Sequence, residues 1–122
     1  MDEVWFTGLA DELAQAVVDA RACATACEEL LESARGGLGE ERQRELLSAL
    51  VAPTAISRIL IDLIDRPPLL VLAATRVCRE TSLQAIADLD RLALPLDAGA
   101  AVAALRSAAE SCGRLLEAAG PG

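Results

Sequence analysis

Histidine and tyrosine are absent from this chain, and Trp5 and Phe6 are its only aromatic residues. Without histidine there is no Ser-His-Asp or Cys-His catalytic unit, no His-ligated zinc and no Glu-x-x-His di-iron site. Lysine is absent too, so all eleven basic residues are arginine against nineteen acidic ones, a net charge of -8. That balance excludes a phosphate-backbone partner, which requires a cationic face to displace counterions, and no nucleic-acid role is expected. No stretch pairs basic flanks with an apolar signal core. The longest apolar run, Leu69 to Ala74, falls far short of the ~20 residues that span a bilayer, so the sequence predicts a soluble, cytoplasmic protein with no membrane partner. A reducing compartment keeps cysteines as thiols, and the four present here read as metal ligands, reactive thiols or packing residues rather than as a disulfide framework.

What the chain has in abundance is Ala and Leu, in patterns with helical period. With 122 residues it is read as one domain, 1–122. Apolar or small residues recur from Leu9 through Leu13, Ala16, Ala20, Cys23 and Cys27 to Leu30 and Ala34, predicting a first helix over about 9–34. Thr7 is a candidate cap for it, and a start at Asp2 would serve the same orphan amides. Trp5 and Phe6 read as a lid over one bundle end. Gly36-Gly37-Leu38-Gly39 stops the helix. A second helical region runs from Glu40 toward Asp65 and is expected to kink at Pro53 or to split there into 40–51 and 53–65. Its later half, with Ile56, Ile59, Leu60, Ile61, Leu63 and Ile64, predicts deep burial or an oligomer face, and Arg58 can pair with Asp62 at i,i+4. Pro67-Pro68 marks the next boundary and opens a third helix to about Leu92. Its core candidates include Leu70, Val71, Ala74, Cys78, Leu83, Ala85 and Leu89. Asp97 caps a fourth helix, about 98–119. Four helices, short connections and no strand signal predict an all-α fold, an antiparallel four-helix bundle.

Carboxylate pairs such as Glu28-Glu29 and Glu40-Glu41 read as solvated faces or helix starts, and the glycine-rich turn lacks the strand that a dinucleotide fingerprint needs, so no enzyme activity is expected. Cysteine is what remains. Cys23 and Cys27 stand at i,i+4, about 6 Å apart at Cβ on one helix face, a spacing at which two thiolates share a soft ion such as Cu(I). The same two residues, and Cys78 and Cys112 more so, also suit the role of small buried fillers among alanines.

The stretches Arg21 to Glu28, Ala74-Thr75-Arg76-Val77-Cys78-Arg79-Glu80 and Ala108-Ala109-Glu110-Ser111-Cys112-Gly113-Arg114, with the helix order, resemble the cysteine-rich four-helix-bundle copper-binding family, the bacterial copper storage proteins. The resemblance implies a bundle interior that binds Cu(I), frequently in a homo-oligomer, with Cys23 and Cys27 as metal ligands on the first helix, Cys78 on the third and Cys112 on the fourth. This chain departs from the family pattern. Ala16, Ala20, Leu30 and Ala34 or Ser33 stand where further thiols would continue the face, and the second helix has no cysteine. Two functions stay open: a non-catalytic bundle binding one or a few Cu(I) ions, or a metal-free interaction or scaffolding bundle that self-associates or binds a protein partner through aliphatic helix faces.

Overall fold

The computed structural model describes the backbone of residues 2–120 and the side chains from Leu9 onward; Trp5 and Phe6, expected over one bundle end, have side chains outside the described residues. Four helices account for nearly all of it: α1 (Asp2–Ala34), α2 (Glu40–Asp62), α3 (Pro68–Leu92) and α4 (Gly99–Ala119). Each packs along its two sequence neighbours, and α4 closes the ring against α1, which is the antiparallel up-down-up-down four-helix bundle.

The buried residues explain why these segments assemble. On α1 Leu9, Leu13, Ala16, Ala20, Cys23, Cys27, Leu30 and Ala34 follow alternating steps of four and three that keep one seam facing the bundle axis, with Ala24 buried beside it. The same alternation runs through Leu46, Leu50, Pro53, Ser57 and Leu60 on α2, and through Val71, Thr75, Cys78, Ser82, Ala85, Leu89 and Leu92 on α3. On α4 it runs through Ala101, Leu105, Ala108, Cys112 and Leu115. Leucines fill the two ends of the bundle, while alanines on α1 and α4 keep those backbones close. The core accordingly falls into two aliphatic clusters. One holds Leu30, Leu46, Leu50, Leu89 and Leu105; the other holds Leu9, Leu13, Leu60, Val71 and Leu115.

Several local features differ from the expectations above. α1 starts at Asp2, so Thr7 lies inside the helix and does not cap it. α2 runs unbroken through Pro53 rather than splitting, with the ring fully buried at an inner seam position where its packing compensates for the amide it lacks. The helix stops at Asp62, before Asp65, because the chain must leave helical geometry ahead of Pro67; the Arg66 amide donates to the Leu63 carbonyl in the turn at 2.8 Å. Of the apolar run after Pro53 only Leu60 is fully buried, and Ile59 is half exposed. Leu70 and Leu83, expected in the core, are exposed as well, since neither lies on the α3 seam. Arg58 pairs with Glu28 of α1, tying two helices together instead of bonding Asp62 within its own.

The loops are fixed by polar contacts. Arg42, in the first turn of α2, donates at 2.7 Å to the Leu92 carbonyl, one of the orphan acceptors at the end of α3. The Asp97 carboxylate accepts from the Gly99 amide at 3.0 Å and so serves the start of α4 from one position ahead of the cap. Among the described residues, no helix is long and apolar enough to cross a membrane.

Candidate metal centre

All four cysteine side chains are free thiols with no exposed surface. Their helices gather them in the middle of the bundle, with Cys23 near Cys78 and Cys112 and Cys27 one turn further along α1. Cys23 and Cys27 take consecutive seam positions on α1, while Cys78 of α3 and Cys112 of α4 face each other across the antiparallel pair. The two thiol pairs sit where the aliphatic clusters meet: Cys23 and Cys27 belong to one cluster, Cys78 and Cys112 to the other.

α2 has no cysteine but supplies hydroxyls there. Ser57 is fully buried, its Oγ 3.7 Å from the Cys78 Sγ, and it also borders Cys23. Ser82 of α3 lies beside both Cys23 and Cys78, and Thr54 of α2 lies beside Cys27. Neither Ser82 Oγ nor Thr54 Oγ1 makes a hydrogen bond of ordinary geometry, although both atoms are buried. Thr75, one seam step away, is different: its hydroxyl donates to the Val71 carbonyl at 2.7 Å and is satisfied within its own helix. Two buried hydroxyls without partners, both against thiols, cost stability and are placed to donate to sulfur once it carries charge.

The thiols perturb one another. The neighbouring Cys112 thiol, placed to donate to Cys78 as a thiolate, brings Cys78 down to about 7 against the opposing effect of burial, and the Ser57 and Ser82 hydroxyls act in the same direction. Cys112 is pushed far above the ordinary thiol range by its bond to Cys78, then by burial and by the negative charge of Cys78, Cys23 and Asp19. On α1 the Cys27 thiol lowers Cys23 in the same way, against burial, while Cys27 is raised by its contact with Cys23 and by burial, with Thr54 opposing. Each pair therefore releases one proton readily and holds the second, and titrates as a unit. In a Cys23→Ala/Cys27→Ala background, which removes the other lowered thiol, Cys112→Ala should move the onset of thiolate ultraviolet absorbance upward from near pH 7, because the largest lowering contact is lost while burial remains, opposed only by the Ser57 and Ser82 hydroxyls; an unchanged onset would show that Cys112 does not donate. The stability consequence has a sign. Cys78, lowered from 9.0 to about 7, stabilises the reduced, metal-free fold above pH 9 and loses that contribution as pH falls through 7, whereas the raised Cys112 destabilises it above 9.

Near the thiols at the α1–α4 boundary, the Ser111 hydroxyl donates to the Asp19 carboxylate and accepts from Arg114 at 3.0 Å. This network brings a carboxylate close enough to Cys112 to help hold its proton on.

Among the described residues, no three His, Cys, Asp or Glu side chains are grouped to hold a metal ion together. The donor set is thus two dithiol pairs, which fits the two-coordinate preference of a soft monovalent ion and does not fit tetrahedral zinc. The chain matches no protein-family model, no curated protein and no solved structure. The functional reading rests on the thiol pairs themselves. The cysteine pattern signals Cys23 and Cys27 directly; Ser57, Ser82 and Thr54 are missed by a reading confined to metal-ligand residues. Their signal is positional, since Ser57 and Ser82 are, with Thr75, the polar residues at α2 and α3 seam steps otherwise filled with Leu, Val, Ala, Pro or Cys.

Proposed function

We propose that this protein is a non-catalytic Cu(I)-binding bundle that holds the ion as cargo between paired thiols, Cys23 with Cys27 and Cys78 with Cys112. The observation that carries the reading is the gathering of four fully buried thiols, as two pairs, in the middle of the bundle, beside two buried hydroxyls that lack partners. Loading a pair displaces two protons and leaves one net negative charge, because two thiolates surround one monovalent ion. A buried anion needs donors, and Ser57, Ser82 and Thr54 are in place to provide them. The thiols must be reduced to act, which accords with a reducing compartment such as the cytoplasm. The resemblance of the Arg21–Glu28 stretch to copper storage proteins points the same way, with a capacity far below bulk storage because so few thiols are present.

Anaerobic titration of the reduced protein with Cu(I), against a chromophoric chelator, tests this reading. The expected capacity is about two ions per chain, one per thiol pair, halved in Cys23→Ser/Cys27→Ser and absent when all four cysteines are serine. Equal binding by the wild type and the four-serine variant would refute it.

A further inference from the structure

The outer face of α2 is apolar where a bundle helix is ordinarily charged. Leu47 is 51 % exposed, Val51 54 % and Ile59 48 %, with Ala55 exposed between them. Residues 46–61 contain no carboxylate in a chain that carries nineteen. Charge returns at the two ends of the face with opposite signs, Arg44 toward the start of the helix and Asp62 at its end, both exposed. Their separation of eighteen residues makes five turns at ~3.6 residues per turn, so both lie on one line along the helix.

We infer that this face binds a second copy of the chain, α2 against α2, antiparallel about a two-fold axis beside residue 53. The pattern is self-complementary about that point. Inverting α2 on itself sets Arg44 against Asp62 twice and Val51 against Ala55 twice along the middle of the face, so these end charges meet their opposites, while Leu47 and Ile59 flank that line on its two edges. Arg44, Val51, Ala55 and Asp62 also follow the alternating four- and three-residue steps of a shallow helix pair, and Ala55 lets the backbones approach. Arg58 occupies the same seam but is held aside by Glu28 of its own chain. Exposed Leu70 and Val77, on the neighbouring α3, extend the apolar surface. The acid-free face removes the obstacle that a net charge of -8 sets against self-association elsewhere on the surface. A face about one helix wide gives a modest interface, hence a dimer that dissociates on dilution. The pairing does not depend on copper and is tested on the reduced, metal-free protein.

Sedimentation equilibrium over a concentration series reads the result. Wild type should be a reversible dimer. Arg44→Asp and Asp62→Arg, each placing like charges against each other at both ends of the interface, should each raise the dimer Kd roughly tenfold or more, and the double swap Arg44→Asp/Asp62→Arg should return it to within about threefold of wild type. Val51→Asp, at the centre of the face, should give monomers of unchanged helical circular dichroism. A wild type that stays monomeric up to about 1 mM, single swaps that leave the Kd unchanged, or a double swap that fails to restore it would each overturn the pairing.

Discussion

Thr54→Val/Ser82→Ala should make the bundle more stable and a poorer copper ligand at the same time. Both hydroxyl oxygens are buried without hydrogen-bond partners in the metal-free fold. An unsatisfied buried hydroxyl costs about 1–3 kcal/mol, so removing both should raise the unfolding free energy by roughly 2–4 kcal/mol and Tm by on the order of 10 °C. Valine keeps the shape of threonine, and Ser82→Ala opens little space. Copper affinity should move the other way, because these hydroxyls border Cys27, Cys23 and Cys78, and each donor lost from a buried thiolate is worth about tenfold or more. Ser57→Ala is the contrast: its hydroxyl is already engaged with the Cys78 sulfur at 3.7 Å, so this substitution should weaken copper binding without the gain in stability. Urea unfolding of the metal-free proteins and chelator competition of the copper-loaded ones separate the two effects. A loss of stability in the double variant would mean that the hydroxyls serve the metal-free fold, and the case for their role toward a bound ion would fall.

The order and hand-over points of the helices are legible in the sequence because strong local signals mark them: Gly36-Gly37 after α1, Pro67-Pro68 before α3, and Leu94-Pro95 after it. Boundaries fail where the signal is weak or double. Thr7 looks like a cap, yet helical geometry extends back to Asp2, and Pro53 looks like a breaker, yet its buried position on the inner seam keeps α2 continuous. Burial is legible where the four-three alternation is unambiguous, as on α1. It fails for Leu70, Leu83 and Ile59, because in an Ala- and Leu-rich helix apolar residues lie on more than one face and composition alone does not say which face turns inward. The thiol pairs are half legible. Cys23 and Cys27 announce themselves through i,i+4 spacing, whereas the meeting of Cys78 with Cys112 depends on the register between two antiparallel helices, which no local pattern encodes. The hydroxyls around them become conspicuous only once all four seams are aligned, when the centre of the bundle shows polar or sulfur side chains and both ends show leucine.

Leu50→Ala and Leu60→Ala should each cost about 2–5 kcal/mol, and their costs should add. Both leucines are fully buried on the α2 seam, but they belong to different aliphatic clusters, ten residues or roughly 15 Å apart along the helix, with Pro53, Thr54 and Ser57 between them. Independent cavities at the two ends leave no shared neighbour through which one could relieve the other. The double variant should therefore lose about 4–10 kcal/mol, which matches or exceeds the whole stability of many domains of this size and should leave a large unfolded fraction without metal. Copper should reverse part of that loss. A ligand that binds only the folded state, at a free concentration of ~100 times its Kd, adds about 2.7 kcal/mol per site, which the cross-helix pair Cys78 and Cys112 supplies. The reversal carries mechanistic information because Cys23 and Cys27 are close in sequence and could bind an ion in an unfolded chain, whereas Cys78 and Cys112 meet only when α3 and α4 pack. Circular dichroism of the double variant under buffered Cu(I) should show helix returning in Leu50→Ala/Leu60→Ala, and not in the same variant carrying Cys78→Ser/Cys112→Ser. Equal recovery in both would place binding on α1 alone and remove the cross-helix pair from the site, while no recovery in either would show that copper does not distinguish the folded bundle from the unfolded chain.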